Sequence, residues 1–254
     1  MSIHSVSRFS AAEEMQRIAE EGQLGVIAGS GPEAGADLWM KILNGRRTRL
    51  GSAFRGDIDA PQLAIRSIPS LGLSMDMEKH AESLRSVVHE VASEMASCCV
   101  AYTIACNTLH YFSSDLAKIS GGKFVSVQSV VREELRARGK REFALLGASP
   151  VMALGRWSPY ADLQNEFKIE TANGTILDEL IYAVKTEGGS SFELARQFKA
   201  IVDSLECEFV VIGCTELPLV TQLPTKHTLL DVTSLLAEAL LNELSSVKHS
   251  TTGL

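Results

Sequence analysis

No stretch of the 254-residue chain approaches the roughly 20 consecutive apolar residues that a membrane-spanning helix requires. The first 22 residues, MSIHSVSRFSAAEEMQRIAEEG, also lack the apolar core of a secretory signal. They read as an amphipathic leader helix, 1–22, and a cytoplasmic location is expected. A sustained basic tract is missing as well: 24 Lys and Arg stand against 31 Asp and Glu, a net charge of −7, which argues against nucleic acid as the main partner. A local cluster, Arg46-Arg47-Thr48-Arg49 with Arg55 beyond it, is suited only to a small anion. Cysteine is sparse, and its count of five is odd. A disulfide framework is not expected, so each thiol is either a core filler or part of the chemistry. No Pro/Ser-rich linker divides the chain, and short connections must join any halves.

What is present is an alternation of short β-like runs with helical patterns. The runs begin with Gln23 to Ala28, Gln62 to Ile68 and Cys99 to Ala105, continue with Phe124 to Val127, Glu142 to Leu146 and Glu166 to Ile169, and end with Phe209 to Ile212 and Thr228 to Val232. Helical segments are expected over about 32–43, 77–97, 176–185 and 191–205, with a last one to about 244. Such alternation predicts an α/β fold with mainly parallel sheets covered by helices on both faces.

Two stretches repeat one arrangement. Ile104-Ala105-Cys106-Asn107-Thr108-Leu109 matches Ile212-Gly213-Cys214-Thr215-Glu216-Leu217: an apolar strand, a small residue, a cysteine, hydrogen-bonding residues and leucine. The repeat points to two similar α/β halves, with both cysteines at the carboxyl edge of their strands, where open α/β sheets bind ligands. A thiol there, at the opening of a helix, gains thiolate character from unpaired N–H groups. Asn107, Thr108 and Thr215 either cap those helices or hold a carboxylate. Two facing thiols suit removal of a proton from one face of a carbon and delivery to the other. The expected reaction is racemisation or epimerisation, and that logic requires no cofactor and no metal.

Gly25-Val26-Ile27-Ala28-Gly29-Ser30-Gly31-Pro32, Ala105-Cys106-Asn107-Thr108-Leu109-His110 and Gly213-Cys214-Thr215-Glu216 together resemble the aspartate/glutamate racemase family, in particular its aspartate-racemase branch. The resemblance implies two pseudo-symmetric three-layer α/β domains with the active site between them. The boundaries expected are 23–123 plus 229–254 for the first domain and 124–228 for the second. It also implies pyridoxal-phosphate-independent racemisation of an acidic amino acid, aspartate or glutamate, commonly by a homodimer. Cys106 and Cys214 correspond to the catalytic pair, and Asn107, Thr108 and Thr215 to residues on the α-carboxylate and amino group. Ser30 belongs to the substrate loop, where the family usually has Met. Arg55 and Lys185 resemble the cations that clamp the side-chain carboxylate, an Arg fork with a Lys point charge. Further departures are Gly147-Ala148-Ser149-Pro150-Val151 where threonines are usual, Trp157 in place of Tyr, and Thr171-Ala172-Asn173-Gly174 in place of a Pro-containing stretch. They bear on the substrate more than on the reaction. The same scaffold serves maleate isomerases and hydantoin racemases; an amino-acid-binding protein of weak activity is the alternative of another class.

Other residues carry alternatives of their own. His110 either tunes Cys106 or caps and packs; Glu216 either complements a helix start or raises the Cys214 thiol. Asp231 and Thr233 either line the site or cap the last helix. Glu33 is expected to serve a helix dipole. Gly29-Ser30-Gly31-Pro32-Glu33-Ala34 meets a loose dinucleotide fingerprint, but no acidic residue ends the second strand. Cys98, Cys99, Cys106 and His110 match no usual zinc spacing, and Cys98, Cys99 and Cys207 are read as structural. His4, His80, His89, His227 and His249 show no partner pattern.

Overall fold

The computed structural model describes residues 10–250. Among them α1 (Ala11–Glu21) starts at a capping box, in which the Ser10 hydroxyl accepts from the Glu13 N–H and the Glu13 carboxylate accepts from the Ser10 N–H. The rest of the expected leader, residues 1–9, lies outside the described residues, as do the side chain of His249 and His4.

A first parallel sheet is built from β1 (Gln23–Ala28), β2 (Gln62–Ser67), β3 (Ala101–Ile104) and β4 (Lys123–Phe124). Between them run α2 (Pro32–Leu50), α3 (Met77–Cys98) and the single turn α4 (Ser113–Leu116). A second parallel sheet holds β5 (Glu142–Leu146), β6 (Lys168–Thr171), β7 (Phe209–Ile212) and β8 (Thr228–Asp231). α5 (Val127–Ala137) leads into it; α6 (Ser149–Met152), α7 (Gly174–Glu187) and α8 (Phe192–Asp203) connect its strands. α9 (Val232–Ser250) returns to pack on α2, α5 and β3.

The strand orders are β2-β1-β3-β4 and β6-β5-β7-β8, the same winding twice. β3 and β7 are the equivalent inner strands, and every residue of each is buried. That is why both read as continuous apolar runs without alternation. The two halves also terminate these strands alike: the Ala105 N–H donates to Ile27 O at 2.8 Å, and the Gly213 N–H to Leu146 O at 2.6 Å. Each cysteine is thus the first residue beyond an anchored strand end.

The structure moves both expected boundaries. Phe124 pairs with Tyr102 in the first sheet, and the Val125 N–H continues the ladder to Tyr102 O at 2.8 Å, so the first half runs past 123. Leu229 pairs with Val210 in the second sheet, so the chain crosses back at Val232 rather than at 229. Both strands are too short for periodicity to assign them to a sheet; the pairing that does so is non-local. α2 also extends to Leu50, beyond the expected end near 43, with Arg47 and Arg49 in its last turn complementing the helix dipole.

Candidate active site

Cys106 and Cys214 line one cavity together with Ser30, Ser74, Met75, Asn107, Thr108, Ala148, Lys185, Gly213, Thr215 and Glu216. Its volume is only about 10 Å³, near the smallest space that holds a single water. Both halves contribute, and direct bonds cross between them. Lys185 Nζ, from α7, donates to Ser30 O at 2.7 Å; the Thr215 hydroxyl donates to Ala105 O at 3.3 Å. Tyr160 OH donates to Asn107 Oδ1. Outside the cavity, Trp157 Nε1 donates to Glu78 Oε2 at 2.9 Å.

The surroundings of the two thiols differ. Cys106 Sγ lies 3.5 Å from the Ser74 hydroxyl, itself 3.0 Å from the Ser30 hydroxyl. All three are buried, and the two hydroxyls carry no charge. Cys214 instead donates to Glu216 Oε2 at 2.9 Å, and the Thr215 hydroxyl donates to the same oxygen at 3.3 Å. Burial, reinforced by the Glu216 carboxylate, pushes the Cys214 thiol well above its ordinary range. Cys214 is therefore held protonated at neutral pH.

Lys185 Nζ stands 3.5 Å from Glu216 Oε1, with side-chain exposures of 15% and 6%. Burial works against the ammonium, but Glu216 and then the two cysteine sulfurs outweigh it and raise Lys185 overall. Gly31 makes the approach of Glu216 possible, since a Cβ there would stand 1.9 Å from Glu216 Oε1. Asn107 is 3% exposed; its Oδ1 is taken by Tyr160, and its Nδ2 has no hydrogen-bond partner. A buried donor left open beside a cavity is costly, and a ligand carboxylate would satisfy it.

The expected caps are not formed. Asn107 and Glu216 precede short 3₁₀ turns, Thr108–Phe112 and Leu217–Val220, and neither side chain caps them. That leaves Asn107, Thr108 and Thr215 facing the cavity that they line.

Arg55 is a correction. It is not among the cavity residues; its guanidinium is bound to Asp59 at 2.8 and 2.9 Å and to Glu14 at 2.5 Å. These bonds, led by the one from Arg55, hold the Asp59 carboxyl down to about 2 and fasten α1 to the segment before β2. An exposed-looking Arg in FRGDIDAP was legible, but its capture by a carboxylate from another helix was not.

His110 takes the packing alternative. Although only four residues from Cys106, its ring is fully buried between backbone groups: the Val127 N–H donates to Nδ1 at 3.2 Å, and Nε2 donates to Ile104 O at 2.9 Å. The imidazole bolts the end of β3 to the start of α5. Burial outweighs the Ile104 bond and lowers its pKa to about 4, so it is neutral at pH 7 and does not tune the thiol by charge.

Of the remaining expectations, Glu33 does more than face a helix dipole, because its Oε2 accepts the Gly189 N–H at 2.8 Å. Asp231 caps α9, accepting from the Thr233 N–H at 2.8 Å and the Ser234 hydroxyl at 2.7 Å. Neither Asp231 nor Thr233 lines the cavity. Ser74, Met75 and Tyr160 carried no signal in the sequence. Ala148 lies within the departing segment 147–151, and Gly213 within the repeated motif. Among the described residues, no group of three or more His, Cys, Asp or Glu is arranged to hold a metal, and no helix is long and apolar enough to cross a membrane.

Comparison with known proteins adds to this geometry. The family model described as Asp/Glu/Hydantoin racemase matches residues 27–240. A search of curated proteins returns no match. Among solved structures, an aspartate racemase of Picrophilus torridus is similar at a TM-score of 0.71 and 17% identity, covering 88% of this chain and 94% of that one. An aspartate racemase homologue from Pyrococcus horikoshii OT3 gives 0.68 and 22%, covering 88% and 99%. A glutamate racemase from Francisella tularensis subsp. tularensis SCHU S4, in complex with D-glutamate, gives 0.62 and 12%, covering 90% and 83%. At these identities the likeness concerns the fold.

Proposed function

The chain belongs to the Asp/Glu/Hydantoin racemase family, and from that premise we propose that it inverts the α-carbon of an amino acid by two-thiol proton transfer. The observation that carries this reading is the placement of Cys106 and Cys214 at equivalent strand ends, lining one cavity from opposite halves. Cys214, held as the thiol by burial and Glu216, is the donor. Cys106, acting as thiolate, takes the α-proton; the C–H electron pair stays on the carbon, and the Cys214 S–H proton is delivered to the opposite face. The cysteines then exchange protonation states, which makes the reaction reversible.

The α-carboxylate has a place prepared for it at the open Nδ2 of Asn107, whose orientation Tyr160 fixes, with Thr108 and Thr215 alongside. Bonds to that carboxylate would stabilise the charge that develops when the α-proton leaves. The expectation of an acidic side chain rests on Arg55 and Lys185 acting together, and only Lys185 reaches the cavity. The test is incubation of protein purified free of pyridoxal phosphate with a panel of L-amino acids in D2O. Deuterium wash-in at the α-carbon with accumulation of the D-enantiomer is expected; binding without exchange would instead indicate a binding protein.

A further inference from the structure

We propose that the substrate carries one carboxylate rather than two: an α-amino acid whose side chain bears no negative charge, with the buried Lys185–Glu216 pair as the element that rejects aspartate and glutamate. This rests on the racemase reading and narrows its substrate.

The open donor at the cavity is neutral. Asn107 Nδ2 is an open, buried donor, and the α-carboxylate takes it. A second carboxylate has a single cation to pair with, since among the described residues Lys185 is the only Lys or Arg side chain lining the cavity. Lys185 is already committed, to Glu216 Oε1 at 3.5 Å and to Ser30 O at 2.7 Å. Arg55, the other candidate for the clamp, is held by Glu14 and Asp59. A side-chain carboxylate entering this site would therefore face the Glu216 carboxylate with its lysine half neutralised, a desolvated like-charge contact. Such a juxtaposition serves specificity by repulsion.

The space next to the site has the same character. A neighbouring cavity of about 240 Å³ shares Lys185 and Glu216 with the first and adds Glu33 and Glu187 to its wall. A substrate side chain extending that way meets three carboxylates and one ammonium. Gly31, which lets Glu216 come close, is also part of that wall. The room suits an uncharged or basic side chain.

The test compares α-proton exchange in D2O for L-alanine, L-methionine and L-lysine with that for L-aspartate and L-glutamate, using the full-length chain. The expected result is a kcat/KM for at least one of the first three that exceeds both acidic amino acids by about tenfold or more. Glu216→Gln, which releases Lys185, should shift the ratio toward aspartate by a similar factor. Equal or faster exchange on aspartate or glutamate in the unaltered protein would overturn the inference and leave the racemase reading standing. No exchange on any of the five overturns both. A measurement free of variants gives a second check: succinate should inhibit the exchange reaction less than butyrate at equal concentration, and the reverse order would also sink the proposal.

Discussion

The two strand ends that carry Cys106 and Cys214 have the same backbone and different neighbours. Both follow the inner strand of a sheet wound in the same order, and both are pinned by a hydrogen bond from the preceding residue to the adjacent strand. Yet Cys106 has hydroxyl groups beside it, and Cys214 has a carboxylate two residues along the chain. Repetition of the fold supplies equivalent positions for the two thiols. A single acidic residue then makes them unequal, and on the proposed mechanism this sets one arm as the acid. An inversion at carbon needs both properties, because two thiolates or two thiols facing one substrate could not pass a proton through it.

The sharpest way to break this comparison is to remove one thiol at a time. Cys106→Ser and Cys214→Ser should each lower racemisation on the order of 10³-fold, measured as the rate of D-enantiomer formation. Retention of full activity in either would show that one half is catalytically redundant. Residual one-sided α-deuteration in only one of the two would identify the arm that can act without its partner.

A second contrast concerns His110, which has no role-equivalent in the second half: Thr215 and Glu216 stay at the site, whereas His110 is buried in a bracket between β3 and α5. Its pKa falls from an unfolded value of about 6.5 to about 4. A lowered histidine pKa means that the unfolded chain binds the proton more readily. Its contribution is thus complete above about pH 6.5 and declines as the pH falls toward about 4. The loss across that window is on the order of 3 kcal/mol. Urea unfolding midpoints of the native chain should follow this slope, and His110→Gln should flatten it; an unchanged slope would remove the bracket from the account.

Tyr160→Phe tests one of the cross-half links at the site. It removes the donor to Asn107 Oδ1 and should raise KM about tenfold, with a smaller change in kcat; a change confined to kcat would mean that Asn107 acts in chemistry rather than in binding. The smallest effect on catalysis belongs to Arg55→Ala. It should leave the ratio of acidic to neutral substrates unaltered while lowering the thermal midpoint through the loss of the Glu14 and Asp59 contacts. A selective loss of activity on dicarboxylic substrates would restore Arg55 to the site.

How much of this was written in the sequence depends on how local each feature is. The duplicated strand-cysteine motif is contiguous, so Cys106, Asn107, Thr108, Cys214, Thr215 and Glu216 could be named from it, and all six line the cavity. Lys185 was reached only through the family resemblance, because a lysine on an amphipathic helix looks like any solvated charge. Arg55 failed for the complementary reason: the carboxylates that capture it lie in different segments, and one of them, Glu14, belongs to α1. Ser74 and Met75 enter from a 3₁₀ segment after β2, and Tyr160 from a loop, with no pattern to mark them. The assignment of Phe124 and Leu229 to their sheets was likewise a matter of pairing partners far along the chain.

The smallness of the cavity has a meaning in time. A space of about 10 Å³ is smaller than an amino acid, so on the racemase reading the site has to widen before a substrate enters. The bonds that join the two halves around it are Lys185–Ser30, Thr215–Ala105 and Tyr160–Asn107. Where such widening is slower than diffusional encounter, it would set the ceiling on capture. The apparent affinity would then be lowered by the fraction of time spent shut. In exchange, a carbanion formed there by the proposed mechanism would be shielded from bulk water.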